Sequence, residues 1–459
     1  MMDTATAARA VHGQLRGDNV RFTRVATDTR TLAPGDLFVA IKGERFDGHD
    51  FVRVAFERGA TAALVAVEHA GALAGNLIAV PDSLVALGRL AAHWRARFAI
   101  PVIVIVGSNG KTTVKEMLAA ILRVHFGDAH VLATEGNFNN AIGLPLTLLR
   151  LNVEHAVAAI ELGMNHLGET VELAAIAQPT VAVINNAQRE HQEFMRSVAD
   201  VAMEHAALVR ALPEGGTAIL NADDPNVDVW RAAARARRDV RVIEFALEHP
   251  AAIHLRDRPM AAGEALAICT PAGDATVRIS APGRHNVANA LAAAGAALAI
   301  GVPLAATIAG LELFRPVPGR LAPLRAVSGA AVLNDTYNAN PDSVRVAIDV
   351  LAALPPPRWL VLGDMGEVGA NGPRFHREIG EYARAARIDR LLAVGALAAE
   401  SAMAFGSGAE QFASVESLAT HVAATARAGT TVLVKGSRCM RMERVVAALC
   451  GPSIVAGAH

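Results

Sequence analysis

The run Pro101-Val102-Ile103-Val104-Ile105-Val106-Gly107-Ser108-Asn109-Gly110-Lys111-Thr112-Thr113-Val114-Lys115-Glu116-Met117 decides the fold. Its first six residues are apolar and mostly β-branched, which predicts a buried strand. A glycine-bracketed polar loop follows, and Val114-Lys115-Glu116-Met117-Leu118 opens a helix. Strand, glycine loop, helix is the context that a phosphate-binding loop requires. The usual form carries a glycine five residues before Gly110, but Ile105 stands there, inside the strand. The loop is therefore a shortened one, Gly-x-x-Gly-Lys-Thr-Thr. In such a loop backbone N–H groups and the helix start bind the anion, Lys111 contacts the β- and γ-phosphates, and the Thr112 hydroxyl ligates Mg²⁺. Gly107, Ser108, Asn109, Gly110 and Thr113 complete the expected nucleotide contacts. The loop specifies ATP or GTP and no reaction.

Apolar runs alternate with helical stretches on both sides of this segment. After Pro101 they are Val102–Val106, Ala156–Ile160, Thr180–Ile184, Thr217–Leu220 and Val240–Phe245. A second series follows at Ala330–Leu333, Trp359–Leu362, Arg390–Val394 and Thr431–Val434. The alternation predicts mostly parallel sheets with crossover helices. Shorter runs, Leu37–Ile41 and Ala63–Val67, precede a helical pattern through Leu84 to Arg97. With 459 residues, about three units are expected at roughly 150 residues each. The stiff segment Arg315-Pro316-Val317-Pro318-Gly319 marks the second boundary. The expected architecture is α/β in three domains. Residues 1–97 form a small N-terminal α/β domain. Residues 98–315 form a central phosphate-loop domain, its mostly parallel sheet covered by helices on both faces. Residues 316–459 form a C-terminal Rossmann-like α/β domain. Ligands bind beyond the carboxyl ends of strands in such sheets, so the second and third sections each offer a binding edge.

Composition narrows the function classes. The chain is 52% hydrophobic with a formal net charge of −1, which excludes disorder and a globally basic nucleic-acid binder. Three widely spaced cysteines, Cys269, Cys439 and Cys450, fit a reducing cytoplasm without a disulfide framework. No basic segment followed by an apolar one opens the sequence, so no secretory signal is expected. Asn286–Leu311 lacks charge, but it is rich in Ala and Gly and contains Pro303. It reads as a buried helix ending near Gly301-Val302-Pro303 rather than a membrane span. Only four residues are lysine: Lys42, Lys111, Lys115 and Lys435. In a chain this rich in arginine, a retained lysine points to chemistry that a guanidinium does not supply.

Several polar clusters close apolar runs. Glu161 directly follows the run Ala156–Ile160, where a carboxylate beside a phosphate loop suits a Mg²⁺ ligand, the alternative being a helix cap or a solvated side chain. Thr134-Glu135-Gly136-Asn137-Phe138-Asn139-Asn140 is dense in amides, which suits either a polar substrate or a turn. Asn185-Asn186-Ala187-Gln188-Arg189-Glu190-His191 brings His191 to another strand end, as a metal ligand or a structural histidine. In His285-Asn286-Val287-Ala288-Asn289, the two asparagines share a helix face. They read either as contacts to an adenine edge or, for Asn286, as an N-cap.

These clusters, in this order, resemble the Mur ligases, the family that builds the peptide of bacterial cell-wall precursors. The resemblance covers essentially the whole chain. It rests on Gly107–Met117, Thr134–Leu149, Tyr337–Ser343 (YNANPDS), Leu362–Gly369 (LGDMGEVG) with His376, and Val434–Glu443 (VKGSRCMRME). It implies a cytoplasmic, monomeric ligase using ATP and Mg²⁺. The first section would bind a UDP-muropeptide through Thr27-Asp28-Thr29-Arg30 and Phe46-Asp47-Gly48-His49, hence Thr29, Arg30, Asp47 and His49. Thr134, Asn137, Asn139 and Asn140 would contact substrate. Arg320 and Asp335 would reach the nucleotide from the third section. Asn338, Asn340, Lys435, Ser437 and Arg438 would lie at the nucleotide–peptide junction. Lys111, Glu161, His191 and Lys435 would be catalytic, with Thr112, Glu161 and His191 around the metal. The Tyr337–Ser343 and Leu362–Gly369 segments argue for D-alanyl-D-alanine as the amine, and the resemblance implies UDP-N-acetylmuramoyl-tripeptide as the acid. No nucleic acid and no membrane insertion are implied.

The pattern departs in two places. Some family members hold a second Mg²⁺ with a carbamylated lysine, and here His205 occupies that position, in Val201-Ala202-Met203-Glu204-His205. No lysine lies between Lys115 and Lys435, so a carbamate is impossible; Glu204, His205 or water takes its place, or the second metal is held more weakly. Gln188-Arg189-Glu190 also differs from the form expected before His191. Two other functions compete. A folate-type ligase of the same plan has no use for Thr27–Arg30. A regulatory nucleotide-binding module needs neither Glu161 nor the Thr134–Asn140 amides.

Overall fold

The computed structural model describes residues 1–256 and 265–452. Residues 257–264 and 453–459, which fall in the expected second and third sections, lie outside the described residues. Three large sheets follow one another along the chain. The first has five strands, in the order Gln14–Arg16, Leu77–Val80, Ala62–Ala66, Asp36–Val39, Arg24–Ala26, and only its Gln14–Arg16 edge is antiparallel. A short ladder pairs Met2–Asp3 with Arg21–Phe22 beside it.

The central sheet has nine strands. From one edge they run Gly273–Val277, Leu266–Thr270, Ile253–Leu255, Arg241–Ala246, Thr217–Asn221, Val181–Ile184, Val102–Val106, Val157–Glu161 and Val131–Ala133. The seven from Ile253–Leu255 to Val131–Ala133 are parallel, and the other two add an antiparallel hairpin. Alternation along Val102–Val106 explains how both faces are covered. Val102, Val104 and Val106 enter one core, and Ile103 and Ile105 enter another. The first core includes Leu87 and Leu90 of helix Ser83–Arg95. That helix docks the N-terminal sheet onto the central one, with Trp94 Nε1 donating to the Leu151 carbonyl at 2.9 Å. The second core is built by helix Lys111–Phe126, which starts at the phosphate loop, and by helix Arg284–Ala299. Alanines on nearly every side of the latter allow close approach to the sheet and its neighbour helix.

The uncharged run from Asn286 thus divides into two helices, Arg284–Ala299 and Leu304–Leu313, broken where Gly301 takes φ +83° before Pro303. Among the described residues no helix is long and apolar enough to cross a membrane.

The third sheet has six strands, in the order Ala322–Arg325, Ala331–Asp335, Thr431–Lys435, Arg358–Gly363, Arg390–Val394, Ala409–Phe412. All pairs but the first are parallel. Leu360 and Leu362 face one core while Trp359 and Val361 face another.

In the central sheet Val102–Val106 lies between Val157–Glu161 and Val181–Ile184. Chain connections leave it in opposite directions, which makes it the switch point where ligands bind in sheets of this type. Its carboxyl end carries Gly107; one neighbour ends at Glu161 and the other is followed by Asn185.

Candidate active site

Backbone conformation shapes the phosphate loop first. Gly107 has φ +148° and Gly110 φ +85°, where a side chain is strained. A Cβ on Gly110 would stand 2.5 Å from Asn289 Oδ1 and 2.6 Å from Asn185 Nδ2. Helix Lys111–Phe126 starts on Gly110 with no side-chain cap. Its first N–H groups and its positive dipole end therefore suit an anion. The loop is braced from behind. Asn185 Nδ2 bonds the Asn109 carbonyl and Asn289 Oδ1, both at 2.8 Å. Asn289 Nδ2 continues to Asn286 Oδ1 at 3.1 Å, and Asn286 Nδ2 to the Pro282 carbonyl at 2.7 Å. Asn286 and Asn289 line the cavity, but these amide groups belong to a buried chain. Gly283 is the N-cap of their helix, so Asn286 sits inside the first turn and is no cap.

Thr112, Glu161 and Arg320 meet over the loop. Thr112 Oγ1 donates to Glu161 Oε2 at 2.7 Å, and Arg320 Nη2 donates to Thr112 Oγ1 at 2.7 Å. Arg320, from the segment preceding the third sheet, lies 4.2 Å from the centre of the Tyr337 ring. Glu161 is the last residue of its strand rather than the residue after it. Asn139 Nδ2 donates to Glu161 Oε1 at 2.7 Å, and the Glu161 amide donates to Thr134 Oγ1 at 2.9 Å. A carboxylate only 2% exposed, bonded by a hydroxyl and an amide, with that hydroxyl at hand, is a hard-oxygen donor set that fits a divalent cation.

Lys111 Nζ bonds the Gly107 carbonyl at 2.5 Å and lies 3.4 Å from Glu190 Oε2. Burial alone would raise the Glu190 pKa. The Lys111 ammonium, with His205 and His191 nearby, outweighs it and holds the carboxyl well below the usual range. His205 Nε2 lies 3.6 Å from Glu190 Oε1, and both residues are buried. Glu204 is occupied elsewhere, accepting from the Gly168 and Thr170 amides at 3.0 and 2.7 Å. Of the two side chains expected at the missing lysine, His205 is the one that contacts a residue of the cavity wall, Glu190. His191 has φ +47°; its Nδ1 lies 2.6 Å from Glu367 Oε2 and its Nε2 3.8 Å from Glu190 Oε2.

The third sheet contributes a second ionic centre. Lys435 Nζ bonds Asp335 Oδ2 at 2.5 Å and the Asn338 carbonyl at 2.9 Å. Asp335 Oδ1 accepts from the Leu321 amide at 3.1 Å, next to Arg320. Burial pushes the neighbouring His285 down to about 4, against Asp335, which raises it, and with Lys435, which lowers it further. Asn340 caps helix Pro341–Ala352 through Oδ1, and its Nδ2 reaches Asn109 Oδ1 at 3.0 Å.

All of these groups but Thr134, Thr170, Glu204, His205, Pro282 and the glycines at 107, 168 and 283 border one cavity of about 1660 Å³, larger than a site for a single small ligand. Its walls come from all three sheets' segments, Glu44 and Leu84 included, and Asn137, Asn139, Asn140, Asn338 and Asn340 lie on it. Asn140 also makes a turn, its Oδ1 accepting from the Ile142 and Gly143 amides. Thr29, Arg30, Asp47, His49, Ser437 and Arg438 are not on its wall. Arg30 pairs with Asp28, and the Thr29 carbonyl accepts from Arg58. His49 uses both ring nitrogens, one against Asp47 at 2.6 Å and one accepting from the Ala66 amide at 2.9 Å. Ser437 is buried, its hydroxyl 3.1 Å from Cys439 Sγ, and Arg438 lies 5.8 Å from the Tyr337 ring centre. Sequence reasoning missed Glu190, Glu367, Tyr337, Asp342 and Glu378. A carboxylate directly before His191 was a usable signal for the first; the others need the tertiary structure.

Three family models match in order along the chain. They are the Mur ligase family catalytic domain over residues 21–95, the Mur ligase middle domain over 105–297, and the Mur ligase glutamate ligase domain over 319–438. A UDP-N-acetylmuramoyl-tripeptide–D-alanyl-D-alanine ligase of Escherichia coli is 42% identical over 446 residues, 96% of each chain. The Bacillus subtilis ligase of the same name is 33% identical, with 92% of each chain covered. Among solved structures, MurF from Acinetobacter baumannii superposes with a TM-score of 0.89 at 31% identity, covering 97% of this chain and 98% of that one. MurF ligase from Thermotoga maritima in complex with ADP gives 0.81 at 26% identity, with 95% and 98% covered. With relatives this similar over nearly its full length, the chain belongs to the Mur ligase family.

Proposed function

We propose that the chain is an ATP-dependent amide ligase. It joins D-alanyl-D-alanine to UDP-N-acetylmuramoyl-tripeptide and yields ADP, phosphate and the pentapeptide precursor of peptidoglycan. The observation that carries this reading is the meeting of Thr112, Glu161 and Arg320, from two sheet systems, over one phosphate loop. The names of the full-length relatives supply the substrates.

Amide formation from a carboxylate at neutral pH needs activation. The tripeptide carboxylate oxygen attacks the γ-phosphorus and ADP leaves. The dipeptide amine then attacks the acyl phosphate carbon, phosphate leaves, and the nitrogen loses a proton. Both steps gather negative charge on phosphoryl and carboxyl oxygens. Lys111 and Arg320 place two cations beside that charge, and the helix start adds N–H donors. Thr112 and Glu161 are the residues to hold Mg²⁺, with His191 the further donor on the facing loop. Bound there, the ion would neutralise phosphate oxygens. Gly107–Thr113, Asn286, Asn289, Arg320 and Asp335 would form the nucleotide site. Asn137, Asn139 and Asn140 would face the muropeptide, with Thr134 behind them. Thr29, Arg30, Asp47 and His49 would serve its UDP end, away from the cavity. Lys435, Asn338, Asn340, Ser437 and Arg438 would orient the dipeptide side. Residues 1–97, 98–315 and 316–459 are the corresponding domains. Enclosure between the second and third limits hydrolysis of the acyl phosphate.

The test is phosphate release with ATP, Mg²⁺ and D-alanyl-D-alanine, with and without the UDP-muramoyl-tripeptide, in diaminopimelate and lysine forms. Release only with all components, matched by pentapeptide mass, is the expected result. Release without the muropeptide, or none with either form, overturns the reading.

A further inference from the structure

Arg189 stands one residue before Glu190 and two before His191, in the loop after strand Val181–Ile184. Its side chain is engaged by two carboxylates of the third sheet's helices. Nε donates to Asp342 Oδ1 at 3.0 Å, and Nη2 to the same oxygen at 2.6 Å. Nη1 and Nη2 donate to the two Glu378 oxygens at 2.8 and 2.9 Å. The Arg189 backbone N–H adds a bond to Asp342 Oδ2 at 2.8 Å. Asp342 lies in the first turn of helix Pro341–Ala352 and Glu378 in helix Gly372–Ala385. Arg345 donates to Glu378 at 3.1 Å, and the Phe375 ring centre is 5.3 Å from the Arg189 guanidinium.

Exposed ion pairs contribute little, but this one differs in kind. Arg189 and Asp342 are 20% and 22% exposed, and a planar fork gripping two carboxylates holds orientation as well as charge. The same helix start is held a second time, because Asn340 at its N-cap bonds Asn109 of the phosphate loop. A third tie follows, from His191 to Glu367. Two loops at the switch point are thereby set against helices Pro341–Ala352 and Gly372–Ala385 and the loop that carries Glu367.

We infer that Arg189 is a positioning residue for the ligation. It fixes the loop of Glu190 and His191 against helices Pro341–Ala352 and Gly372–Ala385, so that the Lys435–Asp335 centre faces Lys111 and Thr112 while the latch is made. The inference rests on the ligase reading for its kinetic consequence, and on geometry alone for its structural one. A polar latch suits this place, since product must leave after every turnover and ion pairs reopen in water.

The full-length protein carrying Arg189→Ala is compared with wild type in steady-state kinetics, thermal melting and small-angle X-ray scattering with a non-hydrolysable ATP analogue and magnesium. The expected result is a kcat at least fivefold lower, a muropeptide KM within twofold, and a larger radius of gyration. Adding Asp342→Asn to Arg189→Ala should lower kcat less than twofold further, because both break one contact. A kcat loss below fivefold, an unchanged radius, or independent multiplication of the two effects overturns the inference. If Arg189→Ala fails to fold, Glu378→Gln probes the same network from the other side, with the same thresholds in radius and coupling. If wild type makes no pentapeptide, the ligase reading fails while the scattering arm still decides whether the latch exists.

Discussion

Lys111 and Glu190 define each other. The ammonium is 17% exposed and the carboxylate 5%, so each removes the cost of burying the other. Lys111→Ala should lower kcat by about 10²–10³, the scale for losing one group that stabilises transition-state charge. It should also lose at least about 1 kcal/mol of stability, because Glu190 is left buried without its cation. Adding Glu190→Gln should recover the stability and not the turnover; urea melts and phosphate release separate the two. Recovery of both would place Lys111 outside the chemistry. His205 stands at the position where the resemblance expects a carbamylated lysine. Its Nε2 lies 3.6 Å from Glu190 Oε1, and no lysine exists between Lys115 and Lys435 to carry a carbamate. The rate in bicarbonate-depleted buffer should equal the rate with bicarbonate added, and a clear rescue by bicarbonate would contradict this. Lys111, Thr112 and Glu161 were legible as residues because each sits where a strand ends in a polar cluster. Arg189 was not, since its carboxylate partners are 153 and 189 residues away.

At the scale of elements, helix packing reaches the site through helix Lys111–Phe126. A Cβ on Gly310, in helix Leu304–Leu313, would lie 2.3 Å from Ile121 Cα. Backbone cannot step aside as a side chain can. Gly310→Ala should therefore destabilise by about 1–3 kcal/mol, although alanine is ordinarily the better helix former by about 1 kcal/mol. The urea midpoint measures the sign, and a rise would mean that the two helices separate freely. Because the pressed helix begins at Lys111, the ATP KM should rise as well. Strands buried on both faces were readable as unbroken apolar runs, and those of the parallel core appear within a residue or two of their expected places. Several gain a polar last residue, Glu161, Asn221, Asp335 or Lys435, which pairs in the ladder like its apolar neighbours. Val131–Ala133 is too short to show a pattern. The hairpin Leu266–Thr270 with Gly273–Val277 mixes polar and apolar residues on a partly exposed edge. Asn140 and Asn340 look like ligand groups in sequence, and in the structure their side chains also close turns and caps that only the fold reveals.

For the whole molecule, the enclosed charges make stability depend on pH. His285 is pushed from 6.5 down to about 4 in the folded chain. Between those values the unfolded chain binds the extra proton, so stability rises with pH from about 4 to 6.5. The integrated effect is at most about 3.5 kcal/mol, from roughly 1.4 kcal/mol for each pH unit between the two values. The carboxylates act in the same direction at lower pH. Glu190, Glu367 and Glu378 are all held below their ordinary value, the first against burial by Lys111, the second by His191, and the third by Arg189. Their contribution is complete above the unfolded carboxylate range near 4.5 and is lost as pH falls through their folded values. The melting temperature should therefore fall steadily as pH drops from 6.5 and steepen below about 4.5. His285→Gln should flatten the upper part of that fall and leave the lower part in place, since the carboxylate pairs lie elsewhere around the cavity. Scanning calorimetry across about pH 4–8 on both proteins measures this. An unchanged slope between about 4.5 and 6.5 in the variant would show that His285 is not a proton-linked group, leaving that slope to His155 and His376, which burial also lowers.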